Sequence, residues 1–182
     1  MREWLDEWLA LCAHRGLRPS TVASYRTMVD LHVGTALAAA AVNTVTARDL
    51  NELYGRLLRE GRRDGRGGLS PRSVRYLHTL LNKAFKDAVR VGHLAVNPAA
   101  AADPPSPRAA RAPVFPVWSP GELARFLESA KLDTHYVAFH LAAATGLRRG
   151  ELLGLRWCDI DTAARELQVV QTVVEVAHAV RI

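Results

Sequence analysis

Six of the nine prolines in this chain fall between Pro98 and Pro116, and that cluster constrains the fold more than any other feature. Proline presets φ and has no amide hydrogen, so neither a helix nor a central strand runs through such a stretch. Asn97-Pro98, the alanines Ala99 to Ala102, Asp103-Pro104-Pro105-Ser106-Pro107, Pro113 and Pro116 also lack the apolar periodicity of a packed element. Residues 97–117 therefore read as an extended linker, leaving 1–96 and 118–182 as two folding units.

The first unit carries the spacing of amphipathic helices. Leu5, Trp8, Leu9, Leu11 and Cys12 predict one helix over 2–15, with Gly16 as its stop. Ser20 is a candidate cap for a second helix reaching about Val33, with Val22, Tyr25, Met28, Val29 and His32 on related faces, and an alanine-rich stretch runs on to Ala41. Thr46 and Asp49 have the spacing of a capping box and open a third helix through Leu50, Leu53, Leu57 and Leu58. After a glycine-rich basic loop, Ser70-Pro71 supplies a cap and a first-turn proline for a fourth helix to about Val91, ended by Gly92.

That fourth helix divides its surface. At about 100° per residue, Arg72, Arg75, Lys83, Lys86 and Arg90 share a stripe roughly 80° wide, while Val74, Leu77, Leu80, Leu81, Ala84, Phe85 and Ala88 centre on the opposite side. Amphipathic helices ordinarily have a wet side of this kind. Here, however, the stripe has no acidic partner except Asp87 at its margin. It holds Thr79, is flanked by Tyr76 and Asn82, and follows a loop bearing Arg62, Arg63 and Arg66. Such a set suits a helix lying in a nucleic-acid groove beside a loop that touches phosphates. Residues 1–97 hold 15 Lys/Arg against 9 Asp/Glu, whereas 98–182 hold nine of each, so the whole surplus of +6 sits on the first unit. A polyanionic partner follows from that; charge alone does not choose among DNA, RNA and an anionic membrane.

With 49% hydrophobic and 23% charged residues the chain is globular, not disordered. Cys12 and Cys158 lack both metal-ligand spacing and a disulfide framework, so neither a disulfide scaffold nor a zinc site is supported and a reducing cytoplasm fits; no cofactor is expected. Glu3, Asp6 and Glu7 interrupt the first apolar residues, so the first fifteen residues are not expected to form a signal-peptide core, and no apolar run is long enough to span a membrane.

In the second unit Ser119-Pro120-Gly121-Glu122 repeats the capping-box pattern, with Leu123, Phe126 and Leu127 as the predicted buried side, and another helix covers Thr134 to Ala144. A short helix is expected over Glu151 to Trp157, then a turn at Asp159 and Asp161, two carboxylates that lack a third for a metal site. Leu167 to Val176 is the strongest strand signal, with Ala179 to Ile182 as its return.

Between these elements lies Thr145-Gly146-Leu147-Arg148-Arg149-Gly150-Glu151. A guanidinium at Arg148 could meet two non-bridging oxygens of a phosphodiester with parallel hydrogen bonds, and Glu151, about one turn on, could orient it, with Leu152, Leu153 and Leu155 planting that turn in a core. The plainer reading is a helix-ending glycine at Gly146 followed by solvated charges. In combination, Thr-Gly-Leu-Arg-x-x-Glu and the following Leu-x-x-Leu-x-Trp-x-Asp-Ile resemble the first active-site box of the tyrosine recombinases, the phage-integrase family.

The resemblance covers nearly the whole chain. It implies a mainly α fold: a four-helix SAM-like core-binding domain over 1–96, the linker 97–117, and over 118–182 the truncated start of a mixed α/β catalytic domain, its first helices and β-hairpin. In that family two domains clamp double-stranded DNA, the arginine corresponding to Arg148 grips the scissile phosphate, and the acidic residue corresponding to Glu151 belongs to the active-site set. The family's reaction is a metal-free transesterification through a 3′-phosphotyrosyl link. It also needs a hairpin lysine, a His-x-x-Arg box and a nucleophilic tyrosine. None is in place, since His178-Ala179-Val180-Arg181 comes too soon after Arg148, and Tyr25, Tyr54, Tyr76 and Tyr136 lie outside the nucleophile's position. The chain is thus expected to be an N-terminal part of an integrase that binds duplex DNA without cutting it, and to self-associate into a synaptic tetramer only as the full-length protein on DNA. The alternative is a non-catalytic helical DNA-binding regulator or excision accessory module.

Overall fold

The computed structural model describes the chain apart from residues 34–36, 38, 177, 178 and 182. It is mainly helical and divides into Met1–Pro113 and Val114–Ile182.

In the first unit α1 (Arg2–His14) ends where Gly16 adopts φ +77°, letting the Leu17 amide return to the Cys12 carbonyl at 3.2 Å. Helix α2 (Pro19–Met28) starts one residue before the hydroxyl favoured by the sequence. Arg18, not Ser20, holds the cap position without a side-chain bond, and Pro19 takes the first helical position, where its preset φ suffices. A π-helical turn, Val29–Val33, carries α2 on and buries Val29, His32 and Val33. Helix α3 (Ala47–Glu60) has the predicted capping box, the Asp49 amide donating to Thr46 Oγ1 at 3.3 Å and the Thr46 amide to Asp49 Oδ2 at 2.8 Å. Its inner side is Leu50, Leu53, Tyr54 and Leu57; Leu58, one step further round, is exposed. Helix α4 (Pro71–Arg90) is capped by Ser70, whose Oγ accepts the Ser73 amide at 3.2 Å. Trp8, Phe85, Leu5, Leu9, Leu50, Leu77, Leu80 and Leu81 fill the core between these helices.

The proline segment does not leave this core at residue 97. Pro98–Ala101 forms a 3-10 turn capped by Asn97 Oδ1, which accepts the Ala99 amide at 2.9 Å, and Ala99 is buried to 1% exposure. Three side chains then hold the strap. Asn97 donates to Asn82 Oδ1 at 2.7 Å, Asn51 Oδ1 accepts the Asp103 amide at 2.7 Å, and the Arg75 guanidinium donates to the Pro105 carbonyl at 2.8 Å. One small apolar side chain is enough to seat such a segment, which is why apolar periodicity is blind to it.

In the second unit α5 (Pro120–Ser129) opens with the Ser119–Glu122 capping box. Leu123, Phe126 and Leu127 are half-buried, with the Phe126 ring 5.0 Å from Trp118 and 5.5 Å from Phe139. Helix α6 (Tyr136–Thr145) stops at Gly146, whose left-handed φ of +69° turns the chain into α7 (Arg149–Gly154). Helix α7 ends before Trp157, which belongs to a 3-10 turn (Trp157–Asp159), and Leu153 is exposed while Leu152 and Leu155 are half-buried.

The strand signal over 167–176 is split. Strand β1 (Ile160–Asp161) pairs antiparallel with β2 (Glu166–Leu167), and β3 (Val174–Val176) with β4 (Ala179–Arg181) in the register Val174↔Arg181. Between them the chain crosses α7 instead of extending a ladder. The Val173 amide donates to the Gly150 carbonyl at 2.9 Å, and the Gln171 side chain caps the Gly154 carbonyl at 2.8 Å. Gly150 and Gly154 permit this crossing, because a Cβ on Gly150 would sit 2.6 Å from the Val173 carbonyl oxygen.

Candidate nucleic-acid interface

Helix α4 turns one continuous side outward. Arg72, Tyr76, Thr79, Lys83, Lys86 and Arg90 recur every three or four residues and are all exposed, opposite the buried Val74, Leu77, Leu81, Ala84, Phe85 and Ala88. Arg72 and Lys86 enter no ion pair among the described residues. Lys83 lies over the Tyr25 ring at 5.9 Å, and the Tyr76 hydroxyl meets Ser24 Oγ at 3.1 Å, so α2 braces two members of the row. Thr79 bonds back to the Arg75 carbonyl at 3.0 Å, which keeps its methyl and hydroxyl close to the helix.

Arg75 and Asn82 stand apart from that row. Both sit toward the strap and spend hydrogen bonds on it, through Pro105 and Asn97. Asp87, marginal to the stripe in sequence, is 9% exposed and faces inward, accepting from Trp8 Nε1 and Arg15 at 2.8 Å each and pairing with Arg90 at 2.7 Å. Burial pushes its carboxyl up, but the bonds from Trp8 and Arg15 and the two guanidinium charges outweigh that and leave it below the ordinary range. The single carboxylate on this helix is thereby withdrawn from its outer side.

In the loop, Arg62 grips Asp64 through two nitrogens, at 3.1 and 2.7 Å, and this pairing, with the Arg66 amide, lowers the Asp64 carboxyl to about 2. Arg62 is thus already paired within the loop. Arg63 and Arg66 keep exposed side chains with no ion pair among the described residues.

In the second unit Arg148 is the residue preceding α7, and its side chain is 86% exposed against 19% for Glu151. Glu151 folds back on the helix start. One oxygen accepts the Arg148 amide at 2.9 Å and the other its guanidinium at 2.9 Å, and these two bonds, the amide first, hold the Glu151 carboxyl below its usual range. A carboxylate fixed at both oxygens steers the guanidinium while leaving its remaining donors free for an anion. Arg156 and Asp159 form a second pair at 2.7 Å that the sequence reading passed over; it is recognisable as a polar i,i+3 pair opening the 3-10 turn. Asp161 accepts the Ala163 and Ala164 amides, which makes it a turn residue. His178 of the rejected second box lies outside the described residues. Of the tyrosines, Tyr54 is buried with its hydroxyl on His78 at 3.0 Å, and Tyr25 stacks on Trp8 at 5.6 Å.

Over most of its length the chain is similar in sequence to tyrosine recombinases and integrases, and it shares the fold of solved integrases. A tyrosine recombinase XerC-like protein of Caldanaerobacter subterraneus is 27% identical over 176 residues, 94% of this chain and 43% of the relative. A lambda integrase dimer bound to a COC′ core site shares the fold with a TM-score of 0.71 at 24% identity, covering 89% of this chain and 55% of that one. The Tn1549 transposon integrase in complex with circular intermediate DNA gives 0.72 at 22% identity, covering 96% and 56%. No protein-family model matches the chain. The chain spans less than half the length of the curated relatives it matches. Among the described residues no helix is long and apolar enough to cross a membrane.

Proposed function

We propose that this chain is the DNA-binding part of a site-specific tyrosine recombinase, with the four helices of residues 1–96 and the strap 97–105 packed on them as its core-binding domain and 118–182 as the opening of its catalytic domain. One observation carries the reading: the outer row of α4, Arg72 to Arg90, is cationic and hydroxyl-bearing, and the one acid of that helix is turned into the core. A duplex groove lined by phosphates takes such a helix, with Arg63 and Arg66 of the neighbouring loop on the backbone. The work is cytoplasmic, needs no cofactor, and becomes tetrameric only when the complete protein assembles on DNA.

Arg148 serves the chemistry. In the complete enzyme a tyrosine oxygen bonds to phosphorus as the bond to the 5′ oxygen breaks, and charge grows on the two non-bridging oxygens that a guanidinium can meet. Glu151 positions that group. The tyrosine, the hairpin lysine and the His-x-x-Arg box belong to the remainder of a protein of the relatives' length, so this polypeptide binds without cutting.

Fluorescence anisotropy with a duplex, comparing the chain with Arg72→Glu/Lys86→Glu, tests the binding claim. Both positions are exposed and unpaired, so the fold stays intact while affinity falls at least about tenfold. Unchanged affinity refutes the helix assignment, and covalent protein–DNA adducts formed by this polypeptide alone refute the separation of binding from cleavage.

A further inference from the structure

The part of the linker beyond the strap is folded. In Ser106-Pro107-Arg108-Ala109-Ala110-Arg111 the Ser106 carbonyl accepts the Ala110 amide at 3.0 Å, Ser106 Oγ accepts the Ala109 amide at 3.2 Å, and the Arg111 amide reaches the Arg108 carbonyl at 3.3 Å. This is one helical turn with a serine cap and a proline in first position. Side chains three apart on such a turn project from the same side, so Arg108 and Arg111 form a pair. Both are exposed, and neither has an ion-pair or hydrogen-bond partner for its guanidinium among the described residues. No acidic residue occurs between Asp103 and Glu122, so nothing nearby in the chain neutralises them.

The position of the turn is set by α4. Arg75 holds the Pro105 carbonyl, and Arg108 follows three residues later, within about 11 Å of chain from that anchor. Arg72 lies one helical turn before Arg75 on the same helix. The two arginines are therefore tethered beside the N-terminal end of the exposed cationic row.

We propose that the Ser106–Arg111 turn is a second backbone-gripping element, in which Arg108 and Arg111 contact phosphates of the same duplex that α4 meets. Arg75 is then a positioning residue, acting through the Pro105 carbonyl rather than on DNA. The proposal rests on the DNA-binding reading above. Phosphate contacts carry no base information, so their loss weakens all duplexes alike.

The test is duplex affinity of the intact chain against salt, for the unaltered protein, Arg108→Ala/Arg111→Ala, Arg108→Lys/Arg111→Lys and Arg72→Glu/Lys86→Glu, each on two unrelated sequences. Two lost phosphate contacts reduce the slope of log affinity on log salt by about 1.8, so a fourfold rise in salt costs the unaltered protein about tenfold more affinity than the double alanine variant. The lysine pair restores most of the slope. If the unaltered chain shows no salt-dependent affinity, the DNA-binding reading fails and takes this one with it. If it does bind, and Arg72→Glu/Lys86→Glu weakens it while the alanine pair leaves affinity and slope unchanged, only the second element is overturned. A loss confined to one of the two sequences overturns the assignment to phosphates.

Discussion

Replacing Asp87 by alanine tests how the first unit is held together. The carboxylate joins Trp8 of α1, Arg15 just past its end and Arg90 of its own helix, and the consequences of removing it differ by burial. Trp8 is fully buried, so its indole N–H is left without an acceptor in the core, at a cost of about 1–3 kcal/mol. Arg15 and Arg90 have side chains 39% and 60% exposed, so losing each pair costs less than about 1 kcal/mol. The sum is about 1–5 kcal/mol, while Asp87→Asn, which keeps an acceptor for Trp8, costs about 1 kcal/mol. The sign of the pH dependence follows from the lowered pKa. The folded carboxyl titrates below its unfolded value, so its contribution is complete above the ordinary aspartate range and is lost as the pH falls through the folded value. Amide hydrogen exchange at Leu80 and Leu81 in the intact chain reads opening of this unit directly. Protection unchanged within about 0.5 kcal/mol in Asp87→Ala would refute the claim that this carboxylate ties α1 to α4.

Other substitutions separate conformation from contact. Gly146→Ala meets no atom within 4 Å, so its cost of about 1 kcal/mol comes from the left-handed backbone alone, and thermal unfolding of the variant measures it. Gly150→Ala drives a methyl against the Val173 carbonyl, and faster exchange of the Val173 amide than in Gly146→Ala is the expected result. Thr46→Ala removes the oxygen that accepts the Asp49 amide and costs about 1 kcal/mol, with fraying confined to the first turn of α3 in exchange measurements. Arg148→Ala leaves duplex affinity of this chain nearly unchanged; its Glu151 carboxyl moves up only part of the way in an NMR titration, because the residue-148 amide still donates to it.

The features legible in the sequence share one property: their parts lie within four residues of each other. The Thr46–Asp49 and Ser119–Glu122 boxes, the Ser70-Pro71 start and the stops at Gly16, Gly92 and Gly146 all appear where local chemistry put them. The exposed row of α4 was legible for the same reason, since a helix repeats its faces by arithmetic. Two members of the predicted set, Arg75 and Asn82, turned out to hold the chain's own strap, because their partners lie 30 and 15 residues away. Leu167 to Val176 shows the limit from the other side. Its β-branched residues favour extension, yet the hydrogen bonds that decide the matter come from α7, and the run is broken there.

Most helix positions, the caps at Thr46, Ser70 and Ser119, the outward row of cations and the pairing of Arg148 with Glu151 were thus settled by neighbours along the chain, through backbone geometry and spacing. Which way Asp87 faces, where the proline segment stops being part of the helical unit, why Gly150 must lack a side chain and why space at Gly154 is tight were settled by groups far apart in sequence. Those contacts exist only once the core has brought the distant groups together, and no local pattern of residues encodes them.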